Sequence, residues 1–430
     1  MTIKTSTKRA LIAILILTAS FIVYKIEASV NSNGINSVSA KSPVYPSVEM
    51  DIINITPDQM RSDIITLDKV LMESSTDALR YEKEYRNFYQ SRFDNLPGYI
   101  TPNLLTLYDI VKKSPVPKST HTSYYSPLDV VAKVNIGTGF SFSQLNDPVN
   151  IKKNKDLIKL LGLEPVKEGT KDFNLFSNTE TQASEPETRI IEEGKTAYLK
   201  FPSFVLGSGY NKILSDFAKE IKDYKYLIVD VRGNLGGYAD PWKIFLQYFI
   251  DGNHEIATYY GFRDSDISKR VYEELAGTDV VRRLSMFPDL KTEKVDKLPD
   301  SMTQTDDTEL SKLKYFLKFT DKIDYQPQYP FKGKIFLLTN YKSFSSSDMF
   351  AQYMKKSKTA TLVGSNTSGG GNITGDYYHA MPYSGFIFRV EVAYCFNEDG
   401  SSNSRWGTEP DIKAPTGLEL DYVLNNLIKD

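Results

Sequence analysis

The sequence predicts an α/β fold in which short buried strands alternate with amphipathic helices, behind an N-terminal helical region. Tyr226–Val231 (YLIVDV) and Lys334–Thr339 (KIFLLT) are continuous apolar runs bounded by turn residues, the pattern of strands covered on both faces. A glycine-rich turn and then helical spacing over Pro241–Ile250 follow the first run. A serine-rich turn and then Met349/Phe350 and Tyr353/Met354 at helical spacing follow the second. Thr196–Phe201 (TAYLKF) predicts another strand. Lys212–Lys222 predicts a helix whose buried face carries Leu214, Phe217 and Ile221.

The chain has 430 residues, enough for two or three domains, and 40% hydrophobic with 25% charged residues supplies an ordinary globular core. A formal net charge of −2 and a pI of about 6.1 argue against nucleic acid as a partner. Cys395 is the only cysteine, so no intramolecular disulfide can form. It lies in the strand-like VEVAYCF, as a small buried hydrophobe. No CxxC, HExxH or paired-histidine spacing occurs, so neither a metal nor a cofactor is expected.

Lys4, Lys8 and Arg9 precede an uncharged, mostly apolar run of 15 residues, Ala10–Tyr24. This reads as an export signal or a short signal-anchor over residues 1–29, brief for a span that needs roughly 20 residues. Export to a bacterial surface or beyond is the expected localisation, and a membrane tether by this segment is the alternative to its cleavage. Residues 30–48 are Ser/Asn-rich and read as a linker.

Residues 49–125 predict a helical domain. Thr56-Pro57-Asp58-Gln59 is a capped start, and Met60, Ile64, Leu67 and Leu71 follow on one face. Thr101-Pro102 begins a second helix, and Glu82–Arg92 is charged, aromatic and helical in pattern. Residues 126–190 alternate weakly and read as β-rich, ending in a polar tail. The core occupies 191–430, interrupted by a long polar insertion, 251–331, with mixed helical pieces and the character of a lid or specificity element.

Candidate chemistry sits at the turns. Ser343, Ser345, Ser346 and Ser347 lie between the strand ending at Thr339 and the helix after it. A hydroxyl there faces free helix N–H groups and the positive end of the dipole, which favours a developing alkoxide. The same residues, with Asp348 in the first turn, also make an ordinary helix N-cap. Arg232-Gly233-Asn234-Leu235-Gly236-Gly237 is a phosphate loop lacking GxxxxGK[ST], a plain tight turn, or a set of N–H donors for an oxyanion. Of the three histidines, His121 lies in a Pro/Ser/Thr loop between two domains, His254 opens the insertion, and His379 lies in a strand pattern.

These blocks resemble peptidase family S41, which includes C-terminal processing proteases, tricorn core proteases and retinoid-binding-protein-like repeats. IVDVRGNLGG looks like the family's strand and glycine turn. KSFSSSDMFAQYM looks like its nucleophile-bearing junction, and VGSNTSGGGN with GTEPDI like the closing blocks. The resemblance implies a ClpP/crotonase-like core. It aligns the nucleophile with Ser345, the oxyanion donors with the backbone N–H groups of Gly236 and Ser346, Asp348 with the family's Glu, and Ser343 and Ser347 with framework hydroxyls. The lysine that the Ser–Lys branch carries in its second glycine loop is Gly370 here. His121-Thr122 is similar to the His-Thr pair that supplies the base in the tricorn/retinoid-binding-protein-like branch, although Ser119-Thr120 replaces the common Asp-Gly. An acid supporting that histidine has no assigned residue, with Glu398 and Glu409 as neighbours in sequence. No segment reads as a PDZ domain.

The expected function is therefore an exported serine peptidase, with a peptide or protein as substrate and His121 as base to Ser345. The rivals are a catalytically inactive S41-like binding protein, an esterase or other acyl hydrolase, and a wall-binding module. Oligomeric state has no signature in the sequence.

Overall fold

A computed structural model describes residues 55–80, 82, 88–113, 121–132, 140–163, 184–277, 290–371 and 375–428. The expected export segment and linker lie outside them, as do residues 278–289 of the insertion. Three sheets organise the described residues. The central one has six strands in the order β13-β9-β8-β4-β3-β2. These are β2 (Glu187–Glu192), β3 (Thr196–Lys200), β4 (Tyr226–Asp230), β8 (Lys334–Thr339), β9 (Ala360–Gly364) and β13 (Ile412–Lys413). From β3 to β13 every pairing is parallel, and β2 closes one edge antiparallel. Leu227, Ile228, Val229, Phe336, Leu337 and Leu338 are all buried, as continuous apolar runs between two covering layers require.

The parallel strands run the same way, so the turns after β4, β8 and β9 gather at one end of the sheet. That is where open α/β sheets bind their ligands. Helix α7 (Asp240–Phe249) follows the turn after β4, and α10 (Ser346–Lys356) follows the turn after β8. Phe201, Phe204, Phe245 and Phe350 meet edge-on or tilted, with ring centroids 5.5–6.4 Å apart, and lock both helices to the sheet.

The insertion keeps one expected helical piece, DISKRVYEELA at Asp266–Ala276, and otherwise differs from its helical expectation. It supplies most of a four-stranded antiparallel sheet, β12-β5-β7-β6, from β5 (Gly252–Arg263), β6 (Lys291–Val295), β7 (Leu313–Tyr325) and β12 (Tyr394–Phe396). DTELSKLKYFLKF, read as helix, forms one turn at Asp307–Leu310 and then β7. β7 pairs on both edges, with β5 and β6, and Leu313, Phe316, Leu317 and Phe319 pack into two hydrophobic clusters, so pairing and packing override helical propensity.

The first N-terminal helix forms as expected; the one expected from Thr101-Pro102 starts at Leu104 with Asn103 as its cap, and residues 83–87 of the expected Glu82–Arg92 helix lie outside the described residues. Thr56 caps Pro57–Ser74 through a reciprocal bond pair with Gln59. Phe88–Asp94 and Leu104–Lys112 follow. Met60, Ile64, Leu67 and Leu71 share one continuous core with Phe201, Phe245 and Phe350 of the sheet layer. Residues 126–163 correct the β-rich expectation: where described they are helical, over Pro127–Ala132 and Pro148–Leu160. Both helices begin with proline at the first position. Asp147 caps the second, and Ser126 bonds to Asp129 at the start of the first, signals that outweighed a weak alternation. The third sheet, β1-β11-β10, pairs β1 (Ser123–Tyr125) with β11 (Ile387–Glu391) and β11 with β10 (Asp376–Ala380). Among the described residues no helix is long and apolar enough to cross a membrane.

Candidate active site

Ser345 occupies the N-cap position of α10 without acting as a cap. Its φ of 58° and ψ of −123° lie in a region that non-glycine residues rarely occupy, and its side chain makes no capping bond. The hydroxyl turns instead toward His121, with Oγ 3.0 Å from Nε2. Backbone strain of this kind costs roughly 1–3 kcal/mol and persists only where surroundings impose it. They do so here. Ser345 N–H donates to Gly369 O at 2.9 Å, Phe344 N–H to Asn234 O at 3.1 Å, and Ser347 N–H to Phe344 O at 3.1 Å. Ser343, fully buried, donates its hydroxyl to Val231 O at 2.8 Å and ties the turn after β8 to the turn after β4.

Asp348 secures the third turn. Its buried carboxylate accepts from Thr367 Oγ1 (2.5 Å), Gly371 N–H (3.0 Å), Thr408 N–H (3.2 Å), Thr408 Oγ1 (2.7 Å) and Gln352 Nε2 (3.1 Å). An anion in the first turn of a helix also suits the dipole. Ser346 Oγ donates to Tyr238 O at 2.7 Å and accepts from Trp242 Nε1 at 3.1 Å. Ser347 is buried, and its hydroxyl has no partner among the described residues.

The strand register delivers the other half of the site. In the β1–β11 pair Ser123 lies opposite Arg389, so continuing the ladder by two residues sets His121 across from Glu391. Glu391 Oε2 accepts the His121 backbone N–H at 2.8 Å and lies 3.4 Å from Nδ1. Glu391 Oε1 accepts from Ser404 Oγ at 3.2 Å, and its backbone N–H donates to Thr122 Oγ1 at 3.1 Å. Glu391 as a whole is only 1% exposed. Thr76, in the turn after the first helix, donates its N–H to Glu391 O at 2.9 Å, so the N-terminal region braces the acid. Ser345, His121 and Glu391 thus form one chain of contacts, hydroxyl to imidazole to carboxylate.

Glu391 escaped the sequence reading. Its signal was an acid amid the apolar strand residues of FIFRVEVAYCF, anomalous unless it has a buried partner. The acids flagged by proximity are elsewhere. Glu398 and Glu409 border a cavity of about 500 Å³ whose lining includes neither Ser345 nor His121, and Glu409 pairs with Lys413 at 2.8 Å. His254 lies on β5 beside Tyr353, with ring centroids 6.3 Å apart. His379 lies on β10, and burial pushes its imidazole down to about 4. Burial pushes the Cys395 thiol up to about 12, which leaves it unreactive as a nucleophile near neutrality. Among the described residues no group of three or more His, Cys, Asp or Glu side chains could hold a metal ion.

The two expected oxyanion donors fare differently. Ser346 N–H has no acceptor among the described residues, and it follows the nucleophile directly at the start of α10. Gly236 N–H is already engaged, donating to Asn234 Oδ1 at 2.8 Å in a local turn. Gly236 is nonetheless pressed against the nucleophile. With φ of +99°, a Cβ there would stand 2.8 Å from Ser345 Cβ and 2.9 Å from Ser346 N. Next to it, Gly237 bridges Phe204: Phe204 N–H bonds Gly236 O at 2.9 Å, and Tyr238 N–H bonds Phe204 O at 2.8 Å. In that bridge Gly237's own N–H and C=O point away from Phe204. Gly237 N–H has no acceptor among the described residues.

A strained serine on a strand-to-helix turn, beside a histidine and a buried carboxylate, is an arrangement that serine hydrolases use. The model of peptidase family S41 matches residues 195–414, half of the sequence, and the chain belongs to that family of serine-type peptidases. The match takes in the turns after β4, β8 and β9 and the acid, while His121 precedes it. Among solved structures, the chain is similar to a putative peptidase from Parabacteroides merdae, at 18% identity, covering 86% of this chain and 93% of that one, with a TM-score of 0.48. It is similar to mature CPAF complexed with lactacystin at 12% identity, 83% and 94% coverage and a TM-score of 0.46. For the photosystem II D1 C-terminal processing protease the values are 12%, 86%, 98% and 0.42. No curated protein matches the chain.

Proposed function

We propose that this S41 peptidase hydrolyses peptide bonds by a Ser345–His121–Glu391 mechanism. The observation that carries the reading is the 3.0 Å contact between Ser345 Oγ and His121 Nε2, with Glu391 Oε2 on the far side of the ring. Ser345 Oγ attacks the scissile carbonyl carbon as Nε2 takes its proton. The C–O bond formed leaves negative charge on the carbonyl oxygen. His121 then donates the same proton to the leaving amine, the C–N bond breaks, and an acyl-Ser345 ester remains. Water attacks that ester by the same proton route and regenerates the serine. Glu391 holds Nδ1 protonated, so that Nε2 is the acceptor, and offsets the imidazolium charge.

Ser346 N–H and Gly237 N–H are the donors we assign to the oxyanion, each typically worth roughly 3–4 kcal/mol. Gly237 takes the place expected of Gly236, whose N–H is committed to Asn234. Gly236 instead supplies the close approach. A histidine base aligns the chain with the His-using branch of the family rather than the Ser–Lys branch. The basic, then apolar, first 24 residues support export to the cell surface or beyond, with a tether by that segment as the alternative to cleavage.

The test is covalent labelling with a fluorophosphonate and turnover of a peptide library by wild type, Ser345→Ala and His121→Ala. Both variants are expected to fall by about 10³-fold or more in kcat, with labelling abolished in the first. A folded wild-type protein that neither labels nor cleaves would leave the binding-protein reading in its place. Turnover of simple esters without peptides would favour the esterase.

A further inference from the structure

Nε2 against Ser345 Oγ at 3.0 Å and Nδ1 beside Glu391 Oε2 at 3.4 Å hold the His121 ring by its edge, and neither contact bears on its faces. A third contact falls on its face. The Phe344 ring packs on the imidazole with centroids 5.2 Å apart and planes 38° from parallel. Phe344 is itself anchored, since its N–H and C=O are both hydrogen-bonded within the nucleophile turn.

Directly behind this pair sits Gly370, at a φ of +72°. A Cβ there would stand 2.5 Å from Phe344 Cε2, 2.9 Å from Phe344 Cζ and 3.3 Å from His121 Cε1. The first two separations are shorter than packed carbon atoms tolerate, so any side chain at 370 must displace the phenyl ring.

We propose that Phe344 is a positioning residue that holds the His121 ring at the tilt required for proton transfer, and that position 370 is glycine because this contact occupies its side-chain space. The proposal rests on the reading of His121 as the base. It also makes the two bases of the family sterically alternative in this chain. A lysine at 370 and a histidine clamped by Phe344 cannot share the volume.

The experiment compares Phe344→Ala, Phe344→Leu and Phe344→Tyr, each alone and in the His121→Ala background. The readouts are kcat, KM and the rate of fluorophosphonate labelling of Ser345. Misplacement of a reacting group by about 1 Å can cost up to about 10²-fold. Phe344→Ala is therefore expected to lower kcat and labelling by at least about tenfold with KM nearly unchanged, and Phe344→Tyr to restore both. In the His121→Ala background the alanine is expected to add nothing, because its effect passes through the imidazole. Gly370→Ala should reproduce the loss in kcat, on top of the backbone cost that its φ of +72° adds to stability. Retention of kcat within about twofold in Phe344→Ala, or the same loss with and without His121, overturns the proposal. If Phe344→Ala fails to fold, Phe344→Leu against Phe344→Tyr decides, with equal activity of the two refuting the clamp. Should His121→Ala itself leave labelling and turnover intact, the Ser–His reading fails independently.

Discussion

Replacing Glu391 by glutamine changes one charge and almost no volume, and the surroundings dictate how the amide must sit. With its nitrogen toward His121, it would oppose the backbone N–H that now donates to Oε2 at 2.8 Å. With its oxygen toward His121, the nitrogen faces Ser404 Oγ, which as a hydroxyl can accept. The second orientation keeps contact with both the His121 N–H and Ser404 Oγ and keeps the proton on Nδ1. What disappears is the negative charge 3.4 Å from that atom at the moment the imidazolium forms. Coulomb's law with an effective dielectric constant of about 20 sets the lost attraction at about 5 kcal/mol, an upper bound equivalent to between 10³- and 10⁴-fold in rate. Glu391→Gln is thus expected to lower kcat by about 10³-fold, with KM within a few-fold and the thermal midpoint nearly unchanged. Steady-state hydrolysis of a peptide substrate beside a melting curve makes the measurement. A kcat within about threefold of wild type would refute the assignment of Glu391 and the charge argument together.

Other substitutions test separate joints of the site. Gly236→Ala puts a Cβ 2.8 Å from Ser345 Cβ at a φ of +99°. It should abolish fluorophosphonate labelling and cost roughly 1–3 kcal/mol of stability by urea titration. Asp348→Ala strips the shared acceptor from Thr367, Gly371, Thr408 and Gln352. A loss of about 3 kcal/mol or more is expected, and a midpoint unchanged in urea would show that the three turns are not held there. His379 has no partner for either ring nitrogen among the described residues, and burial lowers its folded value to about 4 from 6.5. The unfolded chain then binds the extra proton first. Stability is intact above about pH 6.5 and lost as pH falls toward 4, by roughly 2 kcal/mol between pH 7 and pH 5. His379→Leu should remove that part of the acid sensitivity, and identical pH dependence of wild type and variant in urea would contradict it.

The strand, turn and helix that carry Ser345, the proposed nucleophile, were readable because they are local. An apolar strand, a serine turn and a helix at 3.6 spacing lie within about twenty consecutive residues, and the glycine turn after β4 repeats the arrangement. His121 could be flagged only by its type and its loop, since its partner is 224 residues away. Glu391 was invisible as an acid for His121 because the contact depends on the register of β1 against β11, and no local pattern specifies which residue faces which. The insertion and residues 126–163 went astray in opposite directions and for different reasons. Antiparallel pairing made β7 a strand despite helical spacing, while Pro127 and Asp147-Pro148 started helices within a weak alternation. The commitment of Gly236 N–H to Asn234 Oδ1 is set by a side-chain rotamer, and a glycine count carries no information on it.

Strand pairing between β1 and β11 also orders the life of the chain in time. As synthesis proceeds, His121 emerges first, Ser345 well after it, and the strand that aligns the histidine later still. On the proposed mechanism, a chain that has exposed Ser345 but not yet β11 has no oriented base, and the three groups come together only once β1 has paired with β11.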